Sequence, residues 1–506
     1  MGRIKAALKG RAGDALIAGT AAVLLGFLLV NSWTSTSCTD TWFFYSTGKY
    51  ICENGIPHEN PFAAQEGLKT VVQQWAWCVA SWKLHELAGA NGLSVLKLAL
   101  DCLIGYLAAR LVCEHRGARA RDIDNKELLL VCAGLALAQP WLSQPRPHLL
   151  TCAAMLISLI VCERVARGAH WRELLALPLL MCAHMQVHMS MAWLNVFVVG
   201  CHCLPRDIEG IKALRTREGR RRAAKAAAPF AAAALAMVAV MPLNPYGTDG
   251  VAYVFNSMGA GAYRDLIEEM RPIWETGAAT AGFLAAGMAL ALAAPIIVAK
   301  VSGSGARTDL LALSLAACAA TCMHVRSGWI CAIAGIAAVG AADWPGRGEE
   351  PTPAPLVLAA APMAIAAAYI AMNPVSGAAG VLATYDELAA PLVEEARGDS
   401  GEETPLVACA EWVDNAYLEM QGLKVLTDSR PEIWEPGITG SGEHLNNDYF
   451  DAYAAFTAGD GDALARWARS RGASYLLVNK SDGRWETALD GLEPVAENEG
   501  WALARL

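Results

Sequence analysis

Long apolar runs alternate with short polar breaks rich in arginine, and this pattern predicts a polytopic helical membrane protein. Residues 15–33 form the first run, long enough to span a bilayer and too long for the core of a signal peptide. Arg3, Lys5, Lys9 and Arg11 flank its start, so the N-terminus is expected in the cytoplasm and Asp40 outside. Residues 35–92 read as a long outer loop punctuated by Pro and Gly. Within it, 71–87 carries Trp75, Trp77 and Trp82 but also Gln73, Gln74, Lys83, His85 and Glu86. That mixture suits a helix lying in the interface.

Loop charges give each later crossing its direction. Residues 93–112 run inward to Arg110, Arg116, Arg119, Arg121 and Lys126. Residues 127–141 go out and 148–165 return, around the outer turn Gln144-Pro145-Arg146-Pro147-His148. The stretch 173–204 has basic loops at both ends, yet its roughly 32 residues make about 48 Å of helix, too long for one span and short of two. A hairpin of short arms meets both constraints, with its apex at His184-Met185-Gln186-Val187-His188-Met189-Ser190 recessed below the outer surface. After the basic loop 206–225, residues 226–243 cross outward and 276–299 return. Residues 310–342 repeat the short hairpin around Met323-His324-Val325-Arg326-Ser327-Gly328, and 355–372 make the last crossing. The count is about eleven spans, with the N-terminus inside and the C-terminus outside.

Beyond 374 the period changes. Short strand-like runs at 405–410, 424–427, 474–478 and 502–506, with a helical run at 448–471, predict a small α/β domain. The expected fold class is therefore mainly α, with a membrane domain at 1–373 and a soluble extracytoplasmic α/β domain at 374–506.

Composition agrees with this division. The 506 residues are 55% hydrophobic, above ordinary globular usage. The net charge of −9 is uneven, because from 375 onward acids outnumber bases by roughly fifteen and the rest is net basic. No Gly-rich fingerprint follows a strand, so neither a nucleotide nor a nucleic acid is an expected partner. The fifteen cysteines fall mostly in apolar runs, where they act as small hydrophobes. Cys201-His202-Cys203 reads as structural. Cys38 and Cys52 share one loop and can pair if that loop faces an oxidising compartment.

The polar clusters all fall on the outer face: Asp40, Gln73-Gln74, Gln144 to His148, His184 to Ser190, Asn244 to Gly247, and His324 to Arg326. Ionisable groups at membrane depth are costly and mark candidate sites. Outward-facing arginines can clamp a phosphate, and one carboxylate can act as general base or hold a metal. His184 and His188 lie four apart and share a face if the helix is unbroken there, which would allow a metal pair. Departure of a lipid phosphate needs little protonation, so one base and a cationic phosphate site suffice for sugar transfer.

An acid directly after the first span, a long first outer loop and about eleven spans resemble the C-type membrane glycosyltransferases. That superfamily includes the protein O-mannosyltransferases, the aminoarabinose transferases of lipid A and the oligosaccharyltransferases. Asp40-Thr41-Trp42, Gly55 to Phe62, Gln73-Gln74-Trp75, Arg146-Pro147-His148, Asn244-Pro245-Tyr246-Gly247 and Thr427-Asp428-Ser429-Arg430-Pro431 resemble a little-characterised bacterial group of this type. Asp40 matches the acid that the superfamily uses as catalytic or metal-binding residue, and the resemblance implies a polyprenyl-phosphate sugar as donor. The Lys/His-Pro-Pro-Leu signature of the mannosyl and aminoarabinosyl enzymes is absent, and Asp40 stands beside threonines rather than a second acid.

The expectation is a multi-pass enzyme of the bacterial cell membrane that moves a sugar to a glycan, lipid or protein acceptor outside the cytoplasm. Asp40 would serve as base or as ligand of a divalent cation, with His184 and His188 as further candidate ligands. Arg146 and Arg326 would bind phosphate. Gln73, Gln74, Trp75, His148, Gln186, His188, Tyr246 and His324 would contact sugar or acceptor. Two other classes compete: a flippase for a lipid-linked precursor, and a non-catalytic envelope-assembly protein. Against the flippase, the polar groups crowd one side and no repeat is visible.

Overall fold

A computed structural model describes residues 11–35, 40–114, 123–257, 267–302, 306–341, 364–400, 405–411, 414–434, 436–439, 448–481 and 483–506. The chain divides into two compact units. The first is Met1–Ser35, Val95–Asn244 and Arg264–Pro374; the second is Thr36–Ser94, Pro245–Tyr263 and Val375–Leu506. The first outer loop and the segment after Asn244 thus group with the C-terminal part of the chain.

The first unit is helical. Its elements are α1 (Arg11–Thr34), most of α4 (Asn91–Glu114), α5 (Asn125–Leu142), α6 (His148–Ala166), α7 (Ala176–Val187), α8 (Trp193–Cys201), α9 (Ile208–Ala213), α10 (Arg217–Val240), α12 (Ala278–Ser302), α13 (Thr308–Met323) and α14 (Gly328–Gly340). Among the described residues, five stretches are long and apolar enough to cross a membrane: Ile17–Thr34, His148–Ala166, Arg217–Val240, Ala278–Lys300 and Ala364–Gly398. The last is interrupted at 373–376, beyond which α15 (Gly377–Ser400) begins. Of the expected final crossing, 355–363 lie outside the described residues.

Local chemistry accounts for several element boundaries. Asp124 and Glu127 close a reciprocal capping box at the head of α5, with Glu127 N–H donating to Asp124 Oδ1 at 2.8 Å. Within α4, Lys97 pairs with Asp101 one turn on at 2.5 Å, so the two charges in this apolar helix neutralise each other. Glycine at 134 lets α5 and α14 touch, since a Cβ there would stand 2.7 Å from Ile336 Cγ1.

Both short apolar stretches reverse direction. Arg164 binds Glu173 at 2.6 Å and Arg206 binds Glu163 at 2.6 Å, so both feet of the α7–α8 pair lie at one end of α6. His184 and His188 meet Thr151 near the other end. The α-helix stops at Val187, and His188 takes an extended backbone (φ −160°, ψ 73°) before a 3-10 turn. An unbroken helical face carrying both histidines is therefore not formed. In the second case His324 is extended (φ −144°, ψ 115°), and Thr321 lies 3.3 Å from Cys331 across the reversal.

The second unit holds α2 (Asp40–Asn54), α3 (Trp75–Ala88), α11 (Gly247–Asn256), α15 and a five-stranded sheet. The sequence pattern places 40–54 within the outer loop 35–92, with no helix of its own assigned to it. Its aromatic run has no helical stripe to detect, because Thr41 to Gly48 are all buried. The strands are β1 (Leu406–Cys409), β2 (Lys424–Val425), β3 (Tyr475–Asn479), β4 (Glu493–Glu497) and β5 (Trp501–Arg505), in spatial order β2-β1-β3-β5-β4. β2, β1 and β3 run parallel, and β5 is antiparallel to both β3 and β4. The expected helix 448–471 is two helices, α16 (Asp448–Thr457) and α17 (Ala463–Ser470), parted where Gly459 takes φ +108°. The pairing of Cys52 with Cys38 falls on 36–39, outside the described residues.

Candidate active site

Within the second unit, Asp40 opens α2. Its carboxylate stands at the positive end of the helix dipole. One turn on, Phe44 packs edge-to-face on Trp77 at 6.1 Å, and Asp40 is close enough to act on the buried Cys78 thiol, which burial chiefly pushes up. Asp40 and the first turn of α3 are thus neighbours. α2 and α3 meet backbone to backbone: a Cβ at Gly48 would stand 2.1 Å from the Cys78 carbonyl oxygen.

Polar atoms of this helix pair and of the residues leading into α3 are buried with no hydrogen-bond partner among the described residues. They include the side-chain carbonyls of Gln73 and Gln74, the indole N–H groups of Trp42 and Trp77, Ser81 Oγ and His85 Nδ1. Trp77, Ser81 and His85 recur every four residues and so form one stripe along α3. An orphaned buried donor or acceptor costs about 1–3 kcal/mol, so such a row is expected only where something else satisfies it. Trp75 begins α3, with its N–H bonded to the Val72 carbonyl at 3.2 Å.

The segment before α3 is held by Tyr246. Its hydroxyl accepts from Val72 N–H and donates to the Pro57 carbonyl, both at 3.0 Å, and burial pushes the phenol up to about 12. Tyr246 therefore positions the Gln73-Gln74 approach, and its hydroxyl is fully used in doing so. The outer loop also reaches the sheet, where Ala64 N–H donates to the Val425 carbonyl at 2.8 Å. Asn60 bonds Asp428. Arg430 sits between the Phe43 and Phe62 rings, 4.7 and 5.0 Å from their centroids, and binds Asp428, Glu419 and Thr47. The motifs around Asp40, 55–62, Gln73, Tyr246 and Asp428-Arg430, far apart in sequence, meet in this one unit.

The first unit gathers the remaining candidates. His148 begins α6, with Nε2 2.6 Å from the Trp141 carbonyl. Thr151, one turn on, joins two histidines: its Oγ1 lies 2.9 Å from His184 Nε2 and 2.7 Å from His188 Nδ1. Asn195 Nδ2 lies 2.6 Å from His184 Nδ1, and Ser158 donates to Asn195 Oδ1 at 3.1 Å. Both nitrogens of His184 are committed to protein, so the histidines form a hydrogen-bonded chain rather than a metal pair. Gln186 donates to the Cys182 and Leu243 carbonyls at 2.8 and 2.7 Å, and His324 Nδ1 lies 2.9 Å from the Met270 carbonyl. These two tie backbone segments together.

Arg146 pairs with Glu269 at 3.0 Å. Desolvation would raise that carboxyl, but Arg146 and Arg326 outweigh it and hold it below its ordinary value. Arg326, half-buried in a 3-10 turn, lies within electrostatic reach of His148, His188 and Glu269. Among the described residues, no hydrogen bond or ion pair engages its guanidinium. It is the cation in this cluster most open to an anion.

Among the described residues, no set of three metal-ligating side chains converges around Asp40. The set that does converge is Glu163, His202 and Asp309, in the first unit. Arg206 and Arg307 already pair with its two carboxylates, so its charge is balanced by guanidiniums. Sequence reasoning passed over Thr151, Asn195 and Glu419. The available signal was a polar residue inside an apolar run, three after His148 for Thr151 and two after Trp193 for Asn195.

No protein-family profile matches the chain, and no curated protein matches it. A solved structure does: the archaeal oligosaccharyltransferase AglB from Archaeoglobus fulgidus, in complex with an inhibitory peptide and a dolichol-phosphate. The TM-score is 0.52 at 12% identity, covering 91% of this chain and 69% of that one. At that identity the likeness is one of fold alone.

Proposed function

We propose that this protein is an integral-membrane glycosyltransferase that moves a sugar from a polyprenyl-phosphate donor to an extracytoplasmic acceptor. The observation that carries the reading is Asp40 at the head of α2, beside a first turn of α3 where Gln73, Gln74 and Trp77 bury unpartnered polar atoms. Such atoms suit a hydroxyl-rich ligand next to a carboxylate. The fold likeness to an oligosaccharyltransferase supports the same class.

Asp40 takes the proton of an acceptor hydroxyl or amine as that group attacks the anomeric carbon. The bond from carbon to the donor phosphate oxygen breaks, and its electron pair leaves on the phosphate, which needs no proton near neutral pH. Arg146 and Arg326, the phosphate-binding candidates of the sequence, belong to the first unit, where Arg146 pairs with Glu269. The proposed setting is a bacterial cell membrane, crossed about eleven times, with the N-terminus inside and the acidic C-terminal part outside.

The test is transfer from a polyprenyl-phosphate sugar by the purified protein in proteoliposomes. Asp40→Asn is expected to lower turnover at least about a hundredfold with expression and melting temperature unchanged. Arg326→Ala is expected to act mainly on KM for the donor. Full turnover by Asp40→Asn sinks the assignment, and labelled lipid that crosses the bilayer without bond cleavage favours a flippase.

A further inference from the structure

The second unit contains another recess, at the opposite end of α2 from Asp40. Its volume is about 220 Å³, and it is walled by Ser46, Lys49 and Tyr50 of α2, Phe62 of the outer loop, and Glu419 and Lys424. That is small beside the roughly 300–1,000 Å³ of sites for drug-sized ligands, and it suits a single ring.

Three features define what fits there. The Glu419 side chain is fully buried, and its Oε2 accepts from Ser46 at 3.2 Å, yet its Oε1 has no hydrogen-bond partner among the described residues. Tyr50 and Phe62 meet edge-to-face at 5.7 Å and give the recess an aromatic side. Lys49 and Lys424 bring positive charge, while Glu53 brings negative charge to the same lining. Glu53 would oppose an anion, and the two lysines a cation. A neutral polyol satisfies donors and acceptors of both kinds, and the C–H face of a sugar ring packs on aromatic edges and faces. Glu419 itself is pushed up to about 8, by burial first and by Asp428 second, so near neutral pH it can offer a hydroxyl as well as accept.

We infer that this recess binds one uncharged monosaccharide ring, as an accessory saccharide site separate from the transfer site at Asp40. The inference rests on the recess alone and stands whether or not Asp40 is catalytic.

The experiment is saturation-transfer NMR on the full-length protein in detergent, with glucose, galactose, mannose and N-acetylglucosamine as probes. At least one of the four is expected to show transfer to its ring protons. Tyr50→Ala is expected to weaken that sugar at least about tenfold. Glu419→Gln and Lys424→Ala should each weaken it at least about threefold, and Asp40→Asn should leave it unchanged. Lys424 is exposed, so its variant tests the recess without disturbing the core. No transfer to any of the four sugars overturns the inference. So does an affinity indifferent to Tyr50→Ala and Lys424→Ala, or one lost in Asp40→Asn, which would put the sugar at the transfer site. Displacement of the sugar by inorganic phosphate or glycine at equal concentration would replace the ligand class.

Discussion

Glu419 and Asp428 share one guanidinium, that of Arg430, in a buried cluster. Two carboxylates against one cation leave an excess negative charge, and the proton held by Glu419 removes it. The consequence is a pH dependence of definite sign. The folded state keeps that proton between the ordinary value of 4.5 and about 8, where the unfolded chain has lost it. The stabilisation is full below 4.5 and fades as pH rises through about 8. Glu432, pushed up to about 7 by desolvation, adds to the same trend. In detergent the stability is expected to fall from pH 5 to pH 8, by up to about 1.4 kcal/mol per pH unit for each group, read as a falling melting temperature. Glu419→Gln should flatten the curve, and an equally steep curve in that variant would contradict this account. In the sequence Asp428 and Arg430 are a pair two apart, a spacing that suggests a strand-end salt bridge. Their third partner, Glu419, and the Thr47 hydroxyl that completes the cage were not legible, because 373 residues separate Glu419 from Ser46 beside it.

At the scale of elements, the helices of the first unit were readable because hydrophobic runs and basic loops impose their own length and direction. The two reversals were readable for the same reason: about 48 Å of apolar chain with both feet basic has few other solutions. α2 was not, since its buried aromatics give no stripe. What positions α2 against α3 is Gly48, whose missing side chain lets the Cys78 carbonyl approach. Gly48→Ala is therefore expected to force the pair apart and destabilise it by about 1–3 kcal/mol, read as a lower melting temperature. An unchanged melting temperature would mean that the pair shifts without cost. β4 escaped notice because its acids, proline and mainly half-exposed or exposed residues lack the alternation of a half-buried strand. The run 448–471 was read as one helix because its apolar residues carry through the Gly-Asp-Gly break at 459–461.

At the scale of the molecule, the proposed topology puts the basic loop 206–225 inside and the acidic C-terminal part outside. Trypsin added to intact spheroplasts is expected to cut within the C-terminal part and to spare Lys212 and Arg220 to Arg222, all of which are exposed on the chain. Cleavage of that loop from outside would reverse the topology and remove Asp40 from the extracytoplasmic face.

Sequence by itself determined what depends on neighbours along the chain: the apolar helical runs, the two reversals, most strands, and the place of Asp40 just past the first apolar run. Those follow from the cost of exposing backbone or charge to lipid, a cost paid locally. Tertiary structure alone decided which polar residues work and which merely hold. It bound Tyr246, Gln186, His324 and His184 to protein partners, left Arg326 with none among the described residues, and buried Gln73, Gln74 and Trp77 with polar atoms unsatisfied. It also grouped the first outer loop with the C-terminal sheet, through backbone bonds such as Ala64 to Val425. Hydrogen bonds between segments hundreds of residues apart leave no periodic trace in the sequence, so only the folded chain could assign them.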